Sequence, residues 1–212
     1  MKDNMFIAGR THSGKTYDIQ NVIIPGLLSD DKRQIVIIDH KNEYNKGVSI
    51  DINLIPNLKT FHAINSGKYT KKKIPEIIIV KALDFDPDDI TMIYKYLCLT
   101  RNKILIHDEV SFYYEDLKTG KIPIWTKKFI RAATMEHNNN HNAIFCSQSP
   151  QDVPKTVYGQ FQTGKIFKLN NTQLDYLHKS KFLANKPEYY KFNKPYQYYS
   201  IPEDEEKNES ET

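Results

Sequence analysis

Short β-branched runs alternate with longer amphipathic stretches along this chain. Met5-Phe6-Ile7-Ala8 reads as a strand, and a glycine-bearing loop and a helix over about residues 14–28 follow it. Gln34 to Asp39 is a continuous apolar run, the pattern of a strand covered on both faces. Further strands are expected at Thr60–Ile64, Glu76–Val80, Lys103–Asp108, Asn142–Ser147 and Lys165–Leu169. Pro87 with Asp88 and Asp89 opens a helix reaching about Leu99. Ile124 to about His137 is a second helix, a short one follows Pro150, and Asn171-Thr172 caps one ending near Ser180. Strands alternating with helices predict an α/β fold on a mostly parallel sheet. Beyond residue 181 the period is lost. Residues 182–201, rich in Tyr, Lys, Asn and Pro, are expected to form an extended arm, and residues 202–212 a disordered acidic tail. The alternating strand–helix pattern thus spans residues 1–181.

Composition changes this picture in four respects. With 212 residues, 39% of them hydrophobic, the chain can bury one large core. It contains no run of about 18 apolar residues, so no membrane helix is expected, and Met1-Lys2-Asp3-Asn4 leaves no room for a secretory leader. Cys98 and Cys146 lie in apolar segments without metal-type spacing and read as buried free thiols. The net charge of +4 hides an asymmetry: residues 203–212 carry six acids and one lysine, which leaves +9 on the body. A basic body suits a polyanion such as nucleic acid, or simply a soluble surface.

The candidate chemistry begins at Gly9-Arg10-Thr11-His12-Ser13-Gly14-Lys15-Thr16, which fits the phosphate-loop pattern between a strand and a helix. Small residues let backbone N–H groups turn around a phosphate, and the helix that follows aims its free donors at the same anion. Lys15 adds a mobile charge, and the Thr16 hydroxyl suits Mg²⁺. The candidate nucleotide contacts are Gly9, Thr11, His12, Ser13, Gly14, Lys15, Thr16 and Tyr17.

Ile104-Leu105-Ile106-His107-Asp108-Glu109 puts acids at the carboxyl end of an apolar strand, where open α/β sheets bind ligands. Asp108 is placed to hold Mg²⁺ through water, and Glu109 to position the attacking water. Gln148, after the strand at 142–147, is placed to sense the γ-phosphate. Some 90 residues separate Lys15 from Asp108, and the strands they contain predict an extra strand between the loop strand and the Asp-Glu strand. That arrangement resembles the additional-strand catalytic-glutamate (ASCE), RecA-like class of P-loop NTPase: a three-layer sandwich around a mostly parallel central sheet.

Four segments in order sharpen the resemblance: the loop at 9–16, Asp39-His40-Lys41-Asn42-Glu43-Tyr44, the strand end at Asp108-Glu109, and Ser147-Gln148-Ser149-Pro150. Together they resemble the FtsK–HerA superfamily of DNA-pumping ATPases over residues 4–180. A bare motor of this length is similar to genome-packaging ATPases of membrane-containing icosahedral viruses. The resemblance implies Mg-dependent ATP hydrolysis coupled to translocation of double-stranded DNA, with ATP and Mg²⁺ as cofactors. It implies a homo-oligomeric ring, usually a hexamer, contacts to capsid or vertex proteins, and a place in the host cytoplasm and at the virion vertex.

Related motors often carry an arginine in the helix before the Gln strand that reaches a neighbour's γ-phosphate. Here His137–His141 stands near that point, and of four arginines Arg131 is the candidate finger. The candidate DNA-gripping lysines are Lys71, Lys72 and Lys73 in one loop and Lys118 and Lys121 in another, each also readable as a solvated surface. Two other readings stay open: a Zot-type assembly ATPase of filamentous phage, which normally needs a membrane anchor, and a nucleotide-gated vertex component with little turnover.

Overall fold

The structure is a computed structural model that describes residues 4–30, 33–54, 58–65, 76–116, 122–134, 140–161, 163–194 and 196–201. Its strands are β1 (Met5–Ala8), β2 (Gln34–Asp39), β3 (Val48–Asp51), β4 (Ile77–Lys81), β5 (Lys103–His107), β6 (Asn142–Ser147), β7 (Thr163–Phe167) and β8 (Tyr198–Ile201). They form one sheet in the order β3-β4-β2-β5-β6-β1-β7-β8. All neighbours are parallel except β7 and β8, which pair antiparallel with Phe167 opposite Tyr198. The chain has the α/β P-loop NTPase fold.

Strand alternation sorts the core into two layers. Phe6, Val36, Ile38, Val80, Leu105 and Phe145 face one side. There they meet side chains of α4 (Pro87–Cys98), α5 (Val110–Asp116), α6 (Ile124–Thr134) and α8 (Asn171–Lys179), including Tyr94, Tyr113, Phe129 and Leu177. Ile7, Ile35, Ile37, Ile106, Ile144 and Cys146 face the other side, under Ile19, Ile23 and Leu27 of the helical stretch behind the phosphate loop. Because both faces are covered, the central strands are apolar without a break.

That helical stretch runs as α1 (Lys15–Asp18), a π turn (Ile19–Ile23) and α2 (Ile24–Asp30). Ile24 N donates to Ile19 O, a bond spanning five residues. The next residue, Pro25, has no N–H and its ring crowds the carbonyl four residues back. One extra residue in the turn accommodates it. Asp86 caps α4 and Asp89 completes the reciprocal bond, with Pro87 in the first turn.

The structure corrects three details. Residues expected as a strand at Thr60–Ile64 lie in α3 (Leu58–Asn65), where Phe61 is buried and its ring meets Tyr96 at 4.8 Å. Leu58, Phe61 and Ile64 recur every three residues, and in so short a run the helical period competes with the strand pattern. The missing strand is instead β3, an edge strand with three of its four residues exposed, so its sequence carries little apolar signal. The strand between β1 and β5 in space is β6, which follows both in the chain. Asn170, one residue earlier than expected, caps α8, and helix α5 stands unforeseen directly after the Asp-Glu pair.

The segment at 182–201 leaves α8, passes through a 3₁₀ turn (Pro187–Tyr189) and returns as β8. The lysines at 71–73, 118 and 121, and the acidic tail, lie outside the described residues.

Candidate functional site

The four strand ends that matter lie side by side. β2 leads into Asp39–Tyr44, β5 into Asp108-Glu109, β6 into Gln148, and β1 into the phosphate loop. The loop is held from both flanks: Gly9 N donates to Ser147 O at 3.1 Å and Arg10 N to Lys168 O at 2.9 Å. Gly9 is close-packed, since a Cβ there would lie 2.6 Å from the Phe167 Cβ. Gly14 has φ +103°, a conformation that favours glycine. His12 at φ 58° adopts a left-handed turn without that freedom. Lys15 is buried, and its ammonium donates to Gly9 O and Arg10 O. Burial pushes its pKa down despite Glu109 and Asp108 nearby. The Ser13 hydroxyl is buried without a partner, while Thr11 and Tyr17 are exposed.

Asp39 organises the next loop. Its carboxylate accepts from Lys41 N and Glu43 N at 3.2 Å, Tyr44 N at 3.1 Å and the Lys81 ammonium at 2.6 Å. This turn delivers two side chains to the phosphate loop. Glu43 accepts the Thr16 hydroxyl at 2.8 Å, and Lys41 pairs with Glu109 at 2.8 Å.

Asp108 and Glu109 are adjacent and both buried, yet their environments diverge. Burial raises the Asp108 carboxyl to about 7, and its Oδ2 has no hydrogen-bond partner. Burial also pushes Glu109 upward, but Lys41, Ser111 and the Gln148 N–H outweigh it and hold Glu109 below the usual carboxylate value. Glu109 Oε1 accepts from Ser111 Oγ at 2.5 Å and Gln148 N at 2.7 Å. Its backbone sits at φ 56°, a left-handed conformation costly for glutamate. Gln148 links three elements: its side-chain oxygen accepts from Thr11 Oγ1 at 2.6 Å, its N–H binds Glu109, and its carbonyl accepts from Gln173 Nε2 at 2.7 Å.

The orphaned Asp108 oxygen, close enough to Glu43 for that carboxylate to raise its pKa, and the Thr16 hydroxyl bonded to Glu43 offer hard oxygen donors of the kind that suit Mg²⁺. The structure thus gathers Gly9–Tyr17, Asp108, Glu109 and Gln148 at one strand-end edge. It does not bring Arg131 there. Asn4, just before β1, donates to Ala133 O at 2.8 Å, so the last turn of α6 and Arg131 lie at the strand-start edge. Arg33 is buried at that same edge against Asn140 O and Asn142 Oδ1.

Three contacts escaped the sequence reading. Lys41 and Glu43 were visible only as members of a resembling segment. Gln173 has the signal of a capping box, Asn170-x-x-Gln173, with nothing to say that its amide also holds Gln148.

Neither a protein-family model nor a curated protein matches the chain. Solved structures do. The genome packaging NTPase B204 of Sulfolobus turreted icosahedral virus 2, solved with ATPγS, superposes with a TM-score of 0.71 at 22% identity, covering 94% of this chain and 91% of that one. B204 of Sulfolobus turreted icosahedral virus gives 0.59 at 21%, covering 84% and 82%. VirB4 of Thermoanaerobacter pseudethanolicus gives 0.55 at 10%, covering 85% and 81%. At these identities the likeness establishes the fold.

Proposed function

We propose that this chain is an ATP-driven translocase of double-stranded DNA that packages a viral genome into a preformed capsid. The observation that carries the reading is Glu109 held beside Asp108 and bonded to Gln148, on adjacent strand ends next to the phosphate loop. The similarity to genome packaging NTPases over nearly the whole chain supports it.

The loop N–H groups receive the phosphates, and Lys15 turns from the Gly9 and Arg10 carbonyls to the β- and γ-phosphates. Thr16 and Asp108 would hold Mg²⁺, with Glu43 bonded to Thr16, and the ion would supply charge neutralisation for the phosphates. Glu109, kept ionised, accepts a hydrogen bond from the attacking water and aligns it. Gln148 passes the state of the γ-phosphate to α8 through Gln173 and to the loop through Thr11.

The working form is a homo-oligomeric ring, a hexamer, with capsid or vertex proteins as further partners, in the host cytoplasm and at the virion vertex. In that ring Arg131 acts in trans, which requires a neighbour's phosphate loop to face the strand-start edge of this subunit. Lys71–Lys73, Lys118 and Lys121 grip DNA phosphates. Double-stranded DNA should stimulate Mg-ATP hydrolysis by the full chain, and Lys15→Ala should abolish it. Equal turnover with and without DNA over a range of salt would overturn the translocase reading.

A second reading, a nucleotide-gated component with little turnover, is favoured by one observation: Glu109 is fully engaged by Lys41, Ser111 and Gln148. The same assay separates the two. The Zot-type reading needs an anchor, and no helix among the described residues is long and apolar enough to cross a membrane.

A further inference from the structure

The sheet order fixes where the two ends of a bound nucleotide must lie. The β5 and β6 ends, with Asp108, Glu109 and Gln148, are on one flank of the phosphate-loop strand, and β7 and β8 are on the other. A triphosphate with its γ end against Glu109 therefore extends across the loop toward β7 and β8. Two tyrosines wait there. Tyr17, 66% exposed, and Tyr196, 65% exposed, stand with ring centroids 6.1 Å apart and planes 30° from parallel. Both line the cleft that the phosphate loop, Glu43 and Gln148 enclose.

Tyr196 is built into this place. A Cβ on Gly14 would lie 2.6 Å from its Cδ1, so its ring packs directly on the loop glycine. Its backbone holds φ 61°, an unfavourable value for tyrosine that the surrounding structure must enforce. The enforcement is visible. Tyr199 Oη accepts from Lys191 N at 3.0 Å and donates to Lys191 O at 2.9 Å, and Gln197 Oε1 accepts from Asn193 N at 2.8 Å. Tyr198 packs on Phe167 at 5.4 Å and lies under the Lys165 ammonium, which is paired with Asp18 of the loop helix.

We propose that Tyr196 and Tyr17 form the nucleobase subsite of this cleft, stacking on the flat face of the base of a bound nucleoside triphosphate. The proposal rests on the triphosphatase reading above and adds to it the segment at 182–201, which becomes part of the binding site. Stacking uses the π face that every base has, so the subsite distinguishes a nucleotide from a bare polyphosphate and is tolerant of which base is bound.

The test uses the full chain with Mg²⁺ and two probes, ATP and inorganic tripolyphosphate, with affinities measured by calorimetry. Tyr196→Ala should weaken ATP by about 5- to 150-fold, the range of one base–aromatic stack, and leave tripolyphosphate unchanged. Tyr196→Phe should restore ATP binding. Tyr196→Trp should show indole fluorescence quenched by ATP and not by tripolyphosphate. Loss of both probes in Tyr196→Ala, or of neither, overturns the nucleobase subsite. Lys15→Ala should lose both probes. If Lys15→Ala keeps both, the phosphate-loop reading itself fails, whatever Tyr196 does.

Discussion

The two edges of the sheet are both lined by polar side chains, but they spend them differently. At the strand-start edge the glue is largely amide. Asn4 bridges Ala133 O and Ala143 N, and Asn140 donates to Asn102 Oδ1 at 3.0 Å. Arg33 bonds Asn140 and Asn142, and His141 meets Thr100 O. Where the backbone there turns left-handed it uses Asn102 and Asn140, a residue type that tolerates the conformation. At the strand-end edge the buried groups are charged: Lys15, Asp39, Asp108 and Glu109. The left-handed positions include His12 and Glu109, and Ser13 Oγ, Tyr44 Oη and Asp108 Oδ2 lack partners, against His141 Nδ1 at the other edge. Amide-rich networks built around a single cation hold a fold. Buried charges, unpartnered oxygens and strained turns cost stability, and they concentrate where a ligand can complete them.

The sharpest way to break this contrast is at Glu109. Glu109→Gln keeps the shape and the acceptor for Ser111, Ser147 and Gln148 but removes the charge proposed to align water. ATP turnover should fall by about 10³-fold or more while nucleotide affinity holds. A variant that hydrolyses ATP at the wild-type rate would make Glu109 a structural residue like those at the opposite edge. The matching change at that edge is Arg33→Ala. It removes a buried cation that donates to Asn140 O and Asn142 Oδ1, so denaturant unfolding should show a loss of about 3 kcal/mol. Turnover per folded molecule should not change. A reversed pattern in these two variants would erase the distinction between the edges.

The next effect is the pH dependence of the nucleotide-free protein. His40 Nδ1 meets Ala82 O at 3.1 Å, its Nε2 meets His107 Nε2 at 2.9 Å, and His107 Nδ1 meets the Tyr94 hydroxyl at 2.7 Å. The chain closes with both rings neutral: Ala82 accepts from His40, His40 from His107, and His107 from Tyr94. Burial lowers His40 from 6.5 to about 4 and puts His107 well below 6.5. Between these values the unfolded chain binds two imidazole protons that the native state does not. Asp108 works the other way, since its raised pKa of about 7 keeps a proton that the unfolded carboxyl has lost. Burial lowers His141 as well, so three imidazoles oppose the one carboxyl and the net favours the unfolded state. Stability should therefore rise with pH between about 5 and 6, each net proton giving about 1.4 kcal/mol per unit, and level off as the unfolded imidazoles deprotonate. Asp108→Asn removes the opposing carboxyl and should steepen the slope, as read from thermal melts. A flat profile in both proteins would show that the buried imidazoles do not stay neutral.

How much of this was legible in the sequence follows from the same contrast. The phosphate loop and the Asp-Glu pair were legible because their chemistry needs fixed residue types at fixed spacing. The central strands were legible because burial on both faces writes unbroken apolar runs. Edge strands β3 and β8 bury little on either side and left no period to read. The contacts of Lys41 and Tyr196 were invisible for a different reason. Each acts through a contact across a long loop of chain, Lys41 to Glu109 and Tyr196 to Gly14, and spacing encodes no such approach. The place of β6 between β1 and β5 is likewise a matter of crossover, not of order along the chain.

The smallest effect is expected at Gln173, and it tests whether the strand-end edge communicates outward at all. Gln173 has two duties that a single substitution can separate. Its side-chain oxygen accepts from Asn170 N at 3.1 Å, closing the capping box of α8, and its amide nitrogen donates to Gln148 O at 2.7 Å. Gln173→Glu keeps the acceptor that the capping box needs, because glutamate serves there as well as glutamine. It loses the donor and puts a carboxylate oxygen against a carbonyl. Helix stability should therefore change by less than about 1 kcal/mol. ATP affinity should hold, and DNA-stimulated turnover should fall several-fold, because Gln148 would no longer be tied to α8. If stimulated turnover in Gln173→Glu equals that of the wild type, the Gln148–Gln173 bond is one more satisfied contact of the kind that lines the other edge.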